Sequence, residues 1–181
     1  VSAASNVQPI SVTTKLGDST LAATSAVTYN NFGEVLTVDG PLSGTADTSR
    51  IRYTAHGQME GKIGPDPDDT GSAKLPAVKY TFNSWGQPYL VQSGTVNSLS
   101  DTDWTNFSEV SRSTTQYDTY GRPVRQKAGS SSTDYQVSDV VYDSEGRLAC
   151  TMQRMDPAQW STVATPGSAP QTTGACGPYR V

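Results

Sequence analysis

Tyr117-Asp118-Thr119-Tyr120-Gly121-Arg122-Pro123 and Tyr142-Asp143-Ser144-Glu145-Gly146-Arg147-Leu148 decide how this chain reads. In each, an aromatic residue stands four positions before a glycine, with an aspartate directly after the aromatic. An Asp side chain in such a place hydrogen-bonds its own backbone two residues on, and glycine takes a positive φ without steric cost, so each stretch reads as a tight turn. Looser copies lie upstream at Tyr29-Asn30-Asn31-Phe32-Gly33, Tyr53-Thr54-Ala55-His56-Gly57 and Phe82-Asn83-Ser84-Trp85-Gly86. Asn or Asp follows the aromatic in four copies and Thr54 is the exception. One match would mean nothing; five in 181 residues mark a repeat array.

Working outward, each turn is flanked by residues alternating in polarity. Val27 and Tyr29, Ile51 and Tyr53, then Val78, Tyr80 and Phe82, and Val140 and Tyr142 lead in; Met59, Gly61, Ile63, then Val124, Gln126, Ala128, and Leu148, Cys150, Met152 lead out. Period-2 alternation is the signature of a strand with one buried face, so the unit is strand, turn, strand. A second glycine (Gly40, Gly64, Gly94, Gly129) is expected where the chain leaves each hairpin. No stretch sustains an apolar helical face, while β-branched residues, Gly and Pro recur throughout. The expected class is all-β: tandem antiparallel hairpins in one elongated layer, residues 1–181 forming a single array of about five repeats with turns near 29–33, 53–57, 82–86, 117–121 and 142–146. The segments 66–76, 95–109 and 156–177 read as loops inserted between hairpins. The final Gly-Pro-Tyr-Arg-Val looks like the approach to another repeat, so both ends are expected to be cut from a longer array.

Only 34% of the residues are hydrophobic and the mean hydropathy is −0.49, which allows a thin core in which each unit buries one face against its neighbours. The formal charge is −4 with Lys and Arg scattered singly, so nucleic acid is not an expected partner. No apolar run is long enough to span a membrane, and the first residues lack the basic and apolar regions of a signal peptide. That leaves a cytosolic chain or one whose targeting segment was removed or lies elsewhere. Cys150 and Cys176 are too few for a disulfide framework and, with one histidine, do not complete a zinc set. One disulfide between them, or two free thiols, are the open readings, and export favours the first.

The two strong copies, with Arg122 and Arg147 after their glycines, resemble the YD repeat of the RHS proteins. Phe82 to Pro88 is similar with Phe and Asn in place of Tyr and Asp; the first two copies keep the aromatic and the glycine, and the resemblance covers about residues 24–155. It implies a long β-ribbon that spirals into a hollow shell, as in bacterial insecticidal toxin complexes and polymorphic toxins, where the shell encloses a toxin, or a relative exported to the cell wall or surface. The implied partners are neighbouring repeats of the same parent chain, an encapsulated toxin domain or further copies in self-assembly. The implied location is secreted or at the cell surface. Toxin-releasing members carry an Asp-Pro autocleavage motif; here Ala158-Gln159-Trp160 follow Asp156-Pro157, a departure from the family pattern, and no cleavage is assigned.

Side chains that could carry chemistry each meet a plainer reading. His56 sits in a turn where other copies carry Phe32, Trp85, Tyr120 and Glu145, the mark of an exposed, variable position. Asp66-Pro67-Asp68-Asp69-Thr70-Gly71 resembles a fragment of a calcium loop but lacks the bidentate Glu and its spacing, so a solvated turn is expected, with Asp101 and Asp103 weaker still. Asp118 and Asp143 as a glycosidase pair compete with simple turn capping. Trp85, Tyr89, Trp104, Phe107, Tyr120 and Trp160 could form a sugar-stacking platform, the main rival to a scaffold; such a platform requires Trp85, Trp104 and Tyr120 to be exposed together. Asn106-Phe107-Ser108 fits the N-glycosylation pattern, which is idle if the source is bacterial. The expectation is a non-enzymatic structural repeat scaffold with no cofactor, metal or catalytic residue, and a carbohydrate-binding or adhesive surface module as the alternative.

Overall fold

The structure, a computed structural model, describes residues 8–15, 17 and 21–160. It is all-β, as the alternation requires. Eleven strands lie in one sheet in chain order: β1 (Ser11–Lys15), β2 (Ala22–Tyr29), β3 (Val35–Asp39), β4 (Ser49–Tyr53), β5 (Met59–Ile63), β6 (Leu75–Phe82), β7 (Pro88–Val96), β8 (Ser108–Tyr117), β9 (Pro123–Gly129), β10 (Asp134–Tyr142) and β11 (Leu148–Gln153). Consecutive strands pair antiparallel, the simplest topology a run of hairpins can adopt.

Two local features depart from the sequence reading. The segment 95–109 is not all loop: β7 runs to Val96, a five-residue helix α1 spans Asp101–Thr105, and β8 begins at Ser108. Ser100 caps that helix, its Oγ accepting from the Asp103 N–H at 3.1 Å and donating to the Asp103 carboxylate at 3.0 Å, with Asp101 and Asp103 in the first turn where the helix dipole favours negative charge. Gly94 does not end its hairpin either. It lies inside β7, where a methyl would overlap the Ser108 carbonyl and the Phe107 ring.

The described residues form two compact units. The first comprises those up to Lys79 together with Gly94–Ser108. Its centre is apolar: Ile63, Leu75, Ala77, Val96 and Trp104 are buried, with Leu99 and Phe107 packed against them. Helix α1 delivers Trp104 onto β5, where Gly61 leaves the space; a side chain there would overlap the indole and the Val78 carbonyl. Lys79 donates to the Trp104 carbonyl at 2.6 Å and stands 4.5 Å from the indole centroid, with the Arg52 guanidinium at 5.0 Å. Arg50 holds the Leu99 carbonyl at 2.7 Å and, with Arg52, the Asp101 carboxylate. Burial lowers the Lys79 pKa, with Glu60 opposing and Arg52 adding to the effect.

The second unit comprises Tyr80–Ser93 and the described residues from Glu109 on. Its buried apolar residues are Val124 and Val137, and beside them lies an ion cluster. Arg125 on β9 stands opposite Asp139 on β10, and their exposures are 3% and 1%. The guanidinium grips the carboxylate through Nε at 2.5 Å and a terminal nitrogen at 2.8 Å, and Arg154 adds a third contact at 2.6 Å. Burial alone would raise the Asp139 pKa; the bonds from Arg125 and Arg154 overcome it and hold the carboxyl below its ordinary range.

Candidate functional site

The five motifs are five turns of one build. In each, the residue after the aromatic donates its N–H to the carbonyl of the residue after the glycine: Asn30 to Glu34, Thr54 to Gln58, Asn83 to Gln87, Asp118 to Arg122 and Asp143 to Arg147, all at 2.8–2.9 Å. Gly33, Gly57, Gly86, Gly121 and Gly146 all have φ between 77° and 83°. The ladder slips by one residue at Tyr29, Tyr53, Tyr117 and Tyr142, so each of those hairpins closes through a bulge with a left-handed glycine.

The Asn or Asp is the turn's clamp. Oδ1 of Asn30 accepts from the N–H groups of Phe32 and Glu34, both at 2.9 Å; Asn83, Asp118 and Asp143 repeat the pair of bonds at 2.8–3.1 Å. Thr54, the exception in sequence, does the same with its hydroxyl at 3.3 and 3.2 Å. The second atom of the clamp meets the side chain that follows the glycine. Asn30 and Asn83 donate Nδ2 to Glu34 and Gln87, at 2.6 and 3.1 Å, whereas Asp118 and Asp143 accept from the Nε of Arg122 and Arg147, at 2.7 and 2.8 Å. Donor is matched with acceptor in every case. Burial pushes the Asp118 pKa up, and the Arg122 and Tyr120 bonds outweigh it; at Asp143 the Arg147 backbone bond leads, and both carboxyls lie below their ordinary range.

Two further kinds of contact tie turns to one another. Tyr53, Tyr117 and Tyr142 donate their hydroxyls to the carbonyls of Val35, Pro88 and Pro123 at 3.0, 2.8 and 3.2 Å, in each case the residue two places beyond the preceding glycine. Tyr29 reaches the Pro9 carbonyl at 2.8 Å in the same manner. Burial first and Glu34 second raise the Tyr53 pKa, which keeps that hydroxyl a donor. Phe82 has no hydroxyl and cannot make this bond. In the other direction Gln87, the residue after Gly86, donates to the Gly121 carbonyl at 2.7 Å, and the guanidinium of Arg122, the residue after Gly121, lies 4.3 Å from the Tyr142 ring centroid; Gln8, which follows Val7, reaches the Gly33 carbonyl at 2.7 Å. Sequence reading missed Gln8, Glu34 and Gln87; for Glu34 and Gln87 the donor–acceptor match across the glycine was the available signal.

The remaining candidates take plain places. His56 is exposed at its turn tip, and the residues in the same slot, Phe32, Trp85 and Tyr120, are 90%, 61% and 82% exposed. Asp66 and Asp68 accept from the Asp68 and Ala73 N–H groups and so cap their own loop. Asp101 and Asp103 hold Arg52, Arg50 and the serines of the α1 cap. Asp118 and Asp143 each serve their own turn. Trp104 overturns the exposed platform: at 6% exposure it is core, because Gly61 leaves room for it and α1 presents it. Trp160, half-buried, donates Nε1 to the Arg154 carbonyl at 2.8 Å. Cys150 is disulfide-bonded; Cys176 lies outside the described residues.

No protein-family model and no curated protein matches the chain. Solved structures similar to it include TcdB2-TccC3, over 74% of this chain at 10% identity and a TM-score of 0.38; the same pair without its hypervariable C-terminal region, over 72% at 12% and 0.37; and TcdB2-TccC3-Cdc42, over 73% at 12% and 0.36. This chain spans 7–8% of the length of those chains. At these values the functional reading stands on the turn geometry.

Proposed function

We propose that the chain is a structural repeat scaffold, part of one tandem array in an exported bacterial protein that either encloses a toxin as a shell or builds a cell-surface assembly. The observation that carries this reading is the recurring bond from a motif tyrosine to the carbonyl beyond the preceding glycine. An isolated hairpin is marginal in water, so a sequence that devotes its repeated side chains to fastening one hairpin to the last is organised for extension. The carboxylates that could be proposed for hydrolysis are already engaged, Oδ1 with the backbone and Oδ2 with an arginine, in both Asp118 and Asp143. The protein is therefore read as non-enzymatic.

Electron microscopy of the intact protein purified from its producing cell, paired with limited proteolysis, tests the proposal. A closed hollow particle shielding a C-terminal fragment identifies encapsulation; an open ribbon or fibre, accessible throughout, identifies a surface assembly. Glycoside turnover abolished by Asp118→Asn with the fold retained would overturn the scaffold reading.

A further inference from the structure

We infer that residues 174–179 are the arriving strand of a sixth hairpin, seated on the outer edge of β11 with Tyr179 in the aromatic place of the motif. The inference deepens the tandem-array reading and rests on it. Among the described residues β11 ends the sheet and pairs with β10 alone. What such an edge receives is written in the junctions already made inside each unit.

The register from one hairpin to the next follows one rule. The fourth residue beyond a motif glycine lies opposite the third residue before the next motif aromatic: Thr37 opposite Arg50, Gly61 opposite Lys79, and Arg125 opposite Asp139. Counted from Gly146, the fourth residue is Cys150. It is disulfide-bonded, and Cys176 is the only other cysteine of the chain. Three places after Cys176 stands Tyr179, the one aromatic residue in 161–181. The disulfide and the register rule thus pick the same partner independently. Directly opposed residues on antiparallel strands have Cα atoms about 4.5 or 5.5 Å apart, a separation that a disulfide spans.

The edge beside β11 is also furnished for a tyrosine. Tyr53, Tyr117 and Tyr142 each bond the carbonyl two places beyond the preceding glycine; beyond Gly146 that residue is Leu148. Arg122 and Arg147 are gripped alike by Asp118 and Asp143, at 2.7 and 2.8 Å. Arg122, lying against the Tyr142 ring, has a side chain 29% exposed, whereas that of Arg147 is 75% exposed. A described motif turn of a second copy does not suit this place, since Gln8, Glu34, Gln87 and Arg122 already stand against Gly33, Gly57, Gly121 and Gly146, and Gly86 is engaged as well.

Peptide mapping of the unreduced chain is expected to find Cys150 linked to Cys176 within one molecule; a link between two molecules overturns the inference. The register is tested without that bond. In a Cys150→Ser, Cys176→Ser background, Met152→Cys is combined with Gly174→Cys, the next opposed pair by the same rule, or with Thr172→Cys, two places out of register. The in-register pair should close about tenfold faster or more under mild oxidation, and a smaller ratio overturns the inference. In the unsubstituted chain, hydrogen exchange at 174–179 should be slowed as it is in β11, and exchange at the rate of free peptide overturns it too. Each of these failures leaves the five described turns as they are, so the tandem-array reading, tested by particle shape, stands or falls separately.

Discussion

The two units solve one problem with opposite chemistry. Both are built from the same clamped hairpin, yet the first fills its centre with Ile63, Leu75, Ala77, Val96 and Trp104, whereas the second buries the Arg125–Asp139–Arg154 cluster beside Val124 and Val137. A turn repeat therefore dictates how strands connect and leaves open what lies between them. The apolar centre needs an inserted helix to bring a large side chain. The ionic centre needs charges placed opposite one another on adjacent strands, and these hold only while every partner is present.

The sharpest way to break the comparison is Asp139→Ala, which removes the carboxylate that Arg125 and Arg154 share. A loss of about 3–5 kcal/mol is expected in urea unfolding, with amide protection falling first in β9 and β10. Acid reaches the same carboxylate. Because its folded pKa is depressed, its contribution is present above the unfolded value of about 3.9 and disappears as pH falls through the folded value. Hydrogen exchange followed below pH 4 should thus show β9 and β10 opening before β5 and β6; simultaneous opening would mean that the ion cluster adds nothing distinctive. Trp104→Ala is the counterpart in the first unit, expected to cost about 3–5 kcal/mol and to expose β5 and β6 while leaving β9 and β10 protected.

Smaller effects test what the units share. Gly121→Val forces a branched residue to a φ of 78° and should cost about 1–3 kcal/mol by thermal melting; a neutral result would refute the bulge geometry. Tyr117→Phe, which deletes only the hydroxyl bonded to the Pro88 carbonyl, should cost about 1 kcal/mol.

The turns were legible because their determinants are local: an Asn or Asp with a glycine three places on specifies both the clamp and the positive φ within five residues. The all-β class followed from the alternation that flanks them. Helix α1 was overlooked although Ser100 and Asp103 have the spacing of a cap, since five residues are too short to show periodicity. Trp104 was misplaced for a related reason. Its burial depends on the absence of a side chain at Gly61, more than 40 residues away, and no local pattern encodes that. Arg125 and Asp139 look in sequence like ordinary solvated charges, and only the register that sets them opposite one another makes them a core. The tyrosine hydroxyls were invisible because the alternation that marks a strand is served as well by phenylalanine, as Phe82 shows.

The tyrosine bonds also have a direction. Those of Tyr53, Tyr117 and Tyr142 run back to the first residue of the strand that leaves the preceding motif turn, and each strand pairs with the one synthesised just before it. A chain emerging from the N-terminal end would meet a finished template at every step and zip onto it without waiting for distant sequence, keeping loop-closure costs small however long the array becomes. The hydroxyls would act as a ratchet for vectorial folding, so Tyr→Phe substitutions should slow the addition of the hairpin that carries them more than they slow the hairpins already laid down.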